Sequence, residues 1–359
     1  MSPAGAGRLE ELIASPFAAE MVQAIPEPAI LVGADDRVAA ANRPALALLS
    51  ALRIGEPLVL ALRAPDIVDA RRRVMASGEA ETAQWSERVP VERLFEVTVA
   101  PLTEAEGRVG ATLLTLRDLT ELRRVERLRV DFIANASHEL RTPLASLLGF
   151  VETLQGSARD DPKARDRFLA IMREQGRRMA RLIEDLLSLS RIEQKQHVRP
   201  GTVVDLSQTT RGVIDALTPM AEELGVEIRF AAAEPAPVLG DRDELVRIAE
   251  NLIENAIKYG VRAGAEGGLV EVSVAANGKY AALRVRDHGP GIAAEHLPRL
   301  TERFYRGDPG QSRAKNGTGL GLAIVKHILT RHRGRLAISS RLNEGSVFTA
   351  SIPLDETEK

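Results

Sequence analysis

Apolar and polar positions follow three successive patterns along the chain. Between residues 17 and 118 the apolar runs are short and broken by turn residues. "PAILVGADDRVAAAN" reads as a strand, an Asp-Asp turn and a second strand. "RLFEVTVAPL" and "GATLLTLRDL" alternate apolar and polar residues as half-buried strands do, with "TEAEGR" as the hairpin loop between them. From Thr120 neither proline nor glycine occurs until Pro143, so "TELRRVERLRVDFIANASHEL" predicts one continuous helix with Thr120 as its N-cap. Leu140, Leu144, Leu147, Val151 and Leu154 then advance in alternating steps of 4 and 3, and Phe168, Met172, Gln175, Met179, Leu182, Leu186 and Leu189 do the same. Two such seams joined by the polar turn "QGSARDDPK" predict an antiparallel helical hairpin. One hairpin leaves apolar surface uncovered, so two are expected to pair as a four-helix bundle in a homodimer. After "KQHVRPG" the strands "GLVEVSVAA", "YAALRVRD", "GRLAISS" and "SVFTASIPL" alternate with helices, which predicts an α/β sandwich.

The expected organisation is multidomain α+β. It has a flexible tail over 1–16, a mixed α/β domain over 17–118, a linker helix over 119–130, the hairpin over 131–197 and the sandwich over 198–359. At roughly 150 residues per domain, 359 residues accommodate two to three such units. Net charge is -2, from 48 basic and 50 acidic residues, so no long-range field favours nucleic acid. The absence of cysteine removes disulfides, thiolate metal sites and cysteine nucleophiles, and makes a reducing, cytoplasmic compartment the expectation. No window holds the ~18 consecutive apolar residues of a spanning helix. The richest, "RPALALLSALRIGEPLVLALR", is broken by Arg53, Gly55, Glu56 and Pro57, and "MSPAGAG" lacks the features of a secretion signal.

The candidate chemistry of the sandwich begins in "RIAENLIENAIKYG". Asn251, Asn255, Lys258 and Tyr259 share one helix face, and Leu245, Ala249, Leu252, Ile253 and Ala256 share the other. Amide oxygens suit a hard cation such as Mg2+, and lysine supplies charge to phosphates. "RVRDHGPGI" ends a strand with Asp287, followed by Gly289 and Gly291, whose missing β-carbons let backbone approach a planar group. A buried carboxylate accepts from the adenine amino group but faces an oxygen on guanine, a reason to prefer ATP over GTP. "NGTGLGLAIVKHIL" places Gly317, Gly319 and Gly321, with Thr318 and Leu320 between them, before an apolar helix, where free backbone amides meet phosphate. "ERFYRGDPGQSRAKN" has the polar, glycine-bearing composition of a lid, from which Arg306 can reach the phosphates.

These boxes in this order, with "SHELRTPL" upstream, resemble the sensor histidine kinases of two-component systems over residues 125–359. The resemblance implies an ATP-binding domain of the gyrase, chaperone and histidine kinase superfamily. It makes Asn255 the Mg2+ ligand, Asn251, Lys258, Tyr259 and Arg306 phosphate or lid contacts, and Asp287 the adenine reader. His288 stands where the family more often has asparagine. Residues Ile25 to Asn42 and "RDLTE" resemble a PAS sensor domain. The absence of cysteine, and of histidine before His138, argues there against a histidine-ligated haem or a cysteine–flavin adduct. "GFVETL" and "RMARLIEDLLSLSRIE" resemble the phosphate-responsive branch of these kinases, whose members carry upstream membrane segments. The chain is therefore expected to be either soluble or the cytoplasmic part of a membrane-anchored sensor.

Stepping back along the first seam from Leu140 lands on Ser137 and Ile133, so His138 lies beside the seam and is expected to face outward. Glu139 is placed to hold one ring nitrogen or to take its proton, and Pro143, lacking an amide hydrogen, lets the helix bend below the site. The resemblance makes His138 the phosphoacceptor and Thr142 the residue that orients water for dephosphorylating a partner. No receiver-like region is present, so the expected partner is an aspartate of a separate response regulator. Two alternatives share the nucleotide boxes: a non-catalytic nucleotide-binding scaffold, and an ATPase of the wider superfamily. Intact Asn255, Asp287 and the three glycines argue against the scaffold, and the ATPase reading does not explain "SHELRTPL" or the hairpin.

Overall fold

The structure, a computed structural model, describes residues 15–87, 93–104, 107–195, 197–232, 235–260, 267–307 and 317–355. Most of the expected tail, two residues of the "TEAEGR" loop and the far part of the expected lid lie outside the described residues. The chain divides into two compact units, Met1–Asp131 and Phe132–Lys359.

In the first unit, α1 (Pro16–Gln23) starts where Ser15 accepts the Ala18 N–H at 3.3 Å, with Pro16 opening the helix. It is followed by β1 (Ala29–Gly33), β2 (Val38–Ala41), α2 (Arg43–Leu48), α3 (Leu58–Ala61), α4 (Pro65–Ser77), β3 (Glu81–Glu87), β4 (Arg93–Thr103) and β5 (Val109–Asp118). The strands form one antiparallel sheet in the order β2-β1-β5-β4-β3. Ile30, Val32, Val97, Val99, Leu114 and Leu116 cluster with Ile67, Ala70 and Val74 of α4. The Asp-Asp turn reverses at Asp36, whose φ of 66° lies in the left-handed region that aspartate tolerates. β3 was not expected, because "ETAQWSE" has little apolar weight; it is an edge strand whose Trp85 stacks on Phe95 at 5.1 Å.

α5 (Thr120–Gln155) is one unbroken helix, as its lack of breakers predicts, and it runs through Pro143. Thr120 is not its cap. The first helical bond runs from Arg123 N–H to Leu119 O, and the Thr120 hydroxyl accepts the Leu94 N–H of β4 at 3.0 Å. A β-strand donor has outcompeted the local amides. α6 (Pro162–Gln194) starts on the Asp161 carboxylate, which accepts from the Lys163 and Ala164 amides. Phe150 stacks on Phe168 at 5.2 Å, which fixes the register of the hairpin. The seam residues are buried or half-buried except Leu144, which is 47% exposed. Leu144 instead joins Leu148, Leu169, Ile183 and Leu187 among the exposed large apolar side chains of the hairpin. No helix of the described residues is long and apolar enough to cross a membrane.

Beyond the hairpin come β6 (Val203–Asp205), α7 (Leu206–Glu223), β7 (Val226–Ala232), β8 (Pro237–Leu239), α8 (Arg242–Tyr259), β9 (Gly268–Asn277), β10 (Tyr280–Asp287), α9 (Gly321–Arg331), β11 (Arg335–Arg341) and β12 (Gly345–Pro353). The main sheet has the order β11-β12-β10-β9-β7, with β7 parallel to β9 and the other pairs antiparallel; β6 and β8 pair separately. Helices α8 and α9 bury Leu245, Ile248, Leu252, Ile253, Ile324 and Ile328 in one core with Val272, Leu283 and Val285. Leu182, Leu189 and Ile192 of α6 belong to the same core, so hairpin and sandwich share apolar burial.

Candidate active site

The polar face of α8 forms one wall of a cavity of about 730 Å³. Asn251, Asn255, Lys258 and Tyr259 line it, together with Asp287, Gly291, Tyr305, Arg306, Gly317, Thr318, Gly319 and Gly321. The apolar face of the same helix is fully buried, so the helix cannot rotate without exposing Leu252 and Ile253. Hydrophobic periodicity therefore aims the amides.

Asp287 closes β10 at one end of the cavity. Its Oδ1 accepts the Gly289 N–H at 3.0 Å and the Ser346 N–H at 3.2 Å. Burial pushes its carboxyl up from the ordinary range, outweighing the lowering effect of those two amides. Both of these amides fall on Oδ1. Ser346 does not stand out in the sequence, since nothing local marks a serine backbone 59 residues away as a partner of Asp287. Gly291 is required for a different reason from the one expected. It has φ 72°, and a β-carbon there would lie 2.0 Å from the Arg341 carbonyl oxygen, so the chain's own backbone excludes a side chain. His288 turns away from the cavity, to Glu271 of β9 at 2.9 Å, and leaves the Asp287 contacts intact.

At the other end of the cavity, Asn251 Nδ2 donates to Arg247 O at 2.8 Å. A β-carbon on Gly321 would stand 2.3 Å from Asn251 Oδ1, so this glycine makes room for the asparagine. Lys258 is ion-paired with Glu254 one turn earlier. The Asn255 amide has no partner among the described residues and is free to ligate. Leu320 sits between Gly319 and Gly321. Its side chain is buried in the core, and its N–H meets Thr318 Oγ1 at 3.3 Å.

On the hairpin, His138 is exposed beside the seam. Thr142, one turn on, donates its hydroxyl to His138 O at 3.2 Å, and Pro143 deprives Glu139 O of its helical donor. Glu139 does not hold the His138 ring. Its Oε2 accepts Arg178 Nη2 at 3.3 Å and Arg306 Nη2 at 2.9 Å. Arg306 is thus no surface arginine: its side chain is 9% exposed, and its Nε is buried without a hydrogen-bond partner. Tyr305 beside it is fixed by His296 Nδ1 at 2.8 Å and by the Arg299 guanidinium stacked 4.2 Å over its ring. Phe132 meets Phe304 at 5.8 Å. Nothing local in the sequence marks His296 or Phe132, because both act through partners that only the fold brings near.

Comparison with known proteins gives three family matches in chain order. Residues 22–124 match the PAS fold, residues 128–195 the His Kinase A (phospho-acceptor) domain, and residues 240–356 the histidine kinase-, DNA gyrase B- and HSP90-like ATPase family. The phosphate regulon sensor protein PhoR of Pseudomonas aeruginosa is 39% identical over 237 residues, 66% of this chain and 53% of that protein. The sensor-like histidine kinase SenX3 of Mycobacterium tuberculosis is 36% identical over 252 residues, 70% of this chain and 60% of that protein. The solved histidine kinase AdeS of Acinetobacter baumannii is 27% identical with a TM-score of 0.48, covering 61% of this chain and 98% of that one. The chain spans 53% and 60% of the length of the first two relatives. With a PAS fold, a phosphoacceptor hairpin and a histidine kinase-like ATPase domain in succession, the chain belongs to the PAS-containing sensor histidine kinases of two-component systems.

Proposed function

We propose that the chain is an ATP-dependent protein histidine kinase that phosphorylates His138 and passes the phosphoryl group to an aspartate of a separate response regulator. The observation that carries this reading is the Arg306–Glu139 contact, which joins the nucleotide cavity to the residue next to an exposed histidine. Asp287 reads the adenine amino group, while Asn255, Lys258 and Arg306 face the phosphates. The donor set fits Mg2+ through one protein ligand. Asn255 offers an unpartnered amide oxygen, and no cluster of three histidine or acidic side chains among the described residues could hold the ion alone. Bound Mg2+ would neutralise charge on the terminal phosphates.

In the transfer step, the unprotonated ring nitrogen of His138 attacks the γ-phosphorus, and the bond from that phosphorus to the ADP oxygen breaks. The proton on the other ring nitrogen passes to Glu139, which must first leave Arg178 and Arg306. Thr142 supports a second activity at the same site. Its hydroxyl, one turn from His138, is placed to orient water against the phosphorylated regulator. The exposed apolar stripe of the hairpin supports a homodimer with a four-helix core. PhoR, the phosphate regulon sensor protein, favours phosphate-responsive signalling among possible inputs.

The test is labelled ATP with Mg2+. Wild type gains acid-labile, alkali-stable label, and His138→Gln gains none. Label that persists in the variant assigns the acceptor elsewhere and overturns the reading.

A further inference from the structure

One wall of the nucleotide cavity does not come from the ATP-binding domain. Arg181, Glu184 and Asp185 of α6 line it. Asp185 makes the closest connections: Oδ2 accepts the Thr318 hydroxyl at 2.9 Å, and Oδ1 accepts Arg247 Nη2 at 2.7 Å. Thr318 lies between the glycines of the loop before α9, and Arg247 lies one turn before Asn251. A hairpin carboxylate therefore bridges the two elements that flank the phosphate end. Glu184 stands 3.9 Å from the same arginine.

Three of the cations at this end are already paired within the protein. Arg247 is held by Asp185, Lys258 by Glu254, and Arg306 by Glu139. A polyphosphate entering here must exchange partners with these carboxylates, and each added phosphate brings more negative charge towards Asp185. The side chain of Asp185 is 19% exposed, so water screens that repulsion poorly. Burial also pushes its carboxyl up from the ordinary range, the behaviour of a charge that its surroundings solvate incompletely.

We propose that Asp185 is a specificity-determining residue of the nucleotide site, supplied by the hairpin, which makes this arrangement of the domains favour nucleotides with fewer phosphates. The inference rests on the nucleotide-binding reading above and adds a discriminating residue to it. ADP fits beneath the Asp185–Thr318 contact. A γ-phosphate is repelled by the Asp185 carboxylate and competes with Glu139 for Arg306, so ATP favours release of the hairpin. Release frees Glu139, beside the exposed His138, for chemistry. The hairpin thereby takes part in choosing the nucleotide that will phosphorylate it.

The experiment uses the full chain carrying His138→Gln, so that bound nucleotide is not turned over. Calorimetric affinities for AMP, ADP and the non-hydrolysable ATP analogue AMP-PNP are compared in Mg2+ before and after Asp185→Asn, which removes the charge and keeps an acceptor for Thr318. The expected result is AMP-PNP binding about tenfold tighter, ADP about threefold tighter and AMP within about twofold. Thr318→Val removes the hydroxyl and leaves the carboxylate, so it should not produce the graded gain. Asp185→Ala should repeat the result of Asp185→Asn. An equal change for all three nucleotides makes Asp185 a strut and overturns the proposal, as does weaker or unchanged AMP-PNP binding. A parent chain that binds none of the three overturns the nucleotide-binding reading, and this proposal with it.

Discussion

Gly321→Ala provides a test in which the structure fixes both the sign and the partner of the effect. An alanine β-carbon would stand 2.3 Å from Asn251 Oδ1, 3.2 Å from its Cγ and 3.8 Å from its Cβ. The amide must swing aside by roughly 1 Å to reach ordinary contact distance. It then loses its 2.8 Å bond to Arg247 O. One hydrogen bond at ~1 kcal/mol and an off-rotamer side chain at ~1 kcal/mol set the penalty at about 2 kcal/mol. A better helix former in the first turn returns about 0.5 kcal/mol, leaving a net loss of about 1.5 kcal/mol. In an Asn251→Ala background the clashing atoms are gone and the remaining contact is ordinary. The same substitution should then be neutral or stabilising by about 0.5 kcal/mol, a coupling of ~2 kcal/mol between the two positions. Pulse-labelling hydrogen exchange of α8 and α9 amides across a denaturant series measures the four corners of the cycle. Equal cost in both backgrounds, within ~0.5 kcal/mol, would refute the claim that this glycine exists to seat the asparagine.

Two further outcomes follow from burial and charge. Leu187→Glu places a carboxylate on the exposed apolar stripe of the hairpin and should convert dimer to monomer in analytical ultracentrifugation at micromolar concentration; an unchanged dimer moves the interface off this stripe. His332 is fully buried and neutral, with Nδ1 donating to Ile328 O and Nε2 accepting the Asp241 N–H, and burial lowers its pKa. The unfolded chain therefore binds a proton that the folded one refuses, and protection of α9 amides should fall as pH drops below about 6.5. Half-buried His327 adds to this loss, whereas the raised Glu244 carboxyl acts in the opposite sense, since its contribution is lost as pH rises through its folded value. Protection that stays flat or rises from pH 7 to 5.5 contradicts the neutral assignment.

What the sequence discloses here is whatever repeats over a few residues. The 4,3 steps of the hairpin, the alternation in β9, β10 and β12 and the two faces of α8 are local, and the fold follows them. β3 leaves little trace because "ETAQWSE" carries too little apolar weight to stand out. Identities at the site were legible as boxes, but their partners were not. Glu139 finds Arg178 and Arg306, 39 and 167 residues away, in preference to the histidine beside it. Thr120 gives its oxygen to a strand and not to its own helix. The sequence suggests that Gly291 admits a planar ligand and that Gly321 belongs to a phosphate loop, yet they also make room for the Arg341 backbone and the Asn251 side chain, because close approach of distant segments leaves no periodic trace. Asp185 escaped notice for the same reason: off the seam in "IEDLLSL", it resembles any solvated acid until Thr318 and Arg247 arrive.

The polar contacts between hairpin and ATP-binding domain are of a size that a nucleotide can offset. The Arg306–Glu139 pair is shielded on the arginine side and a quarter exposed on the other, between the surface limit of ~1 kcal/mol and the larger values of buried pairs. The Phe132–Phe304 contact adds about 1 kcal/mol, and the Thr318–Asp185 bond a similar amount. Together these reach a few kcal/mol. A ligand that binds only the separated arrangement supplies about 2.7 kcal/mol at a hundredfold excess over its dissociation constant and about 4.1 kcal/mol at a thousandfold. The burial shared by Leu189, Ile192 and Ile328 is larger and insensitive to phosphate. ATP can therefore loosen the polar grip on Glu139 while the apolar end of α6 stays seated. That makes rotation about a retained apolar contact, and not full detachment, the motion these energies favour.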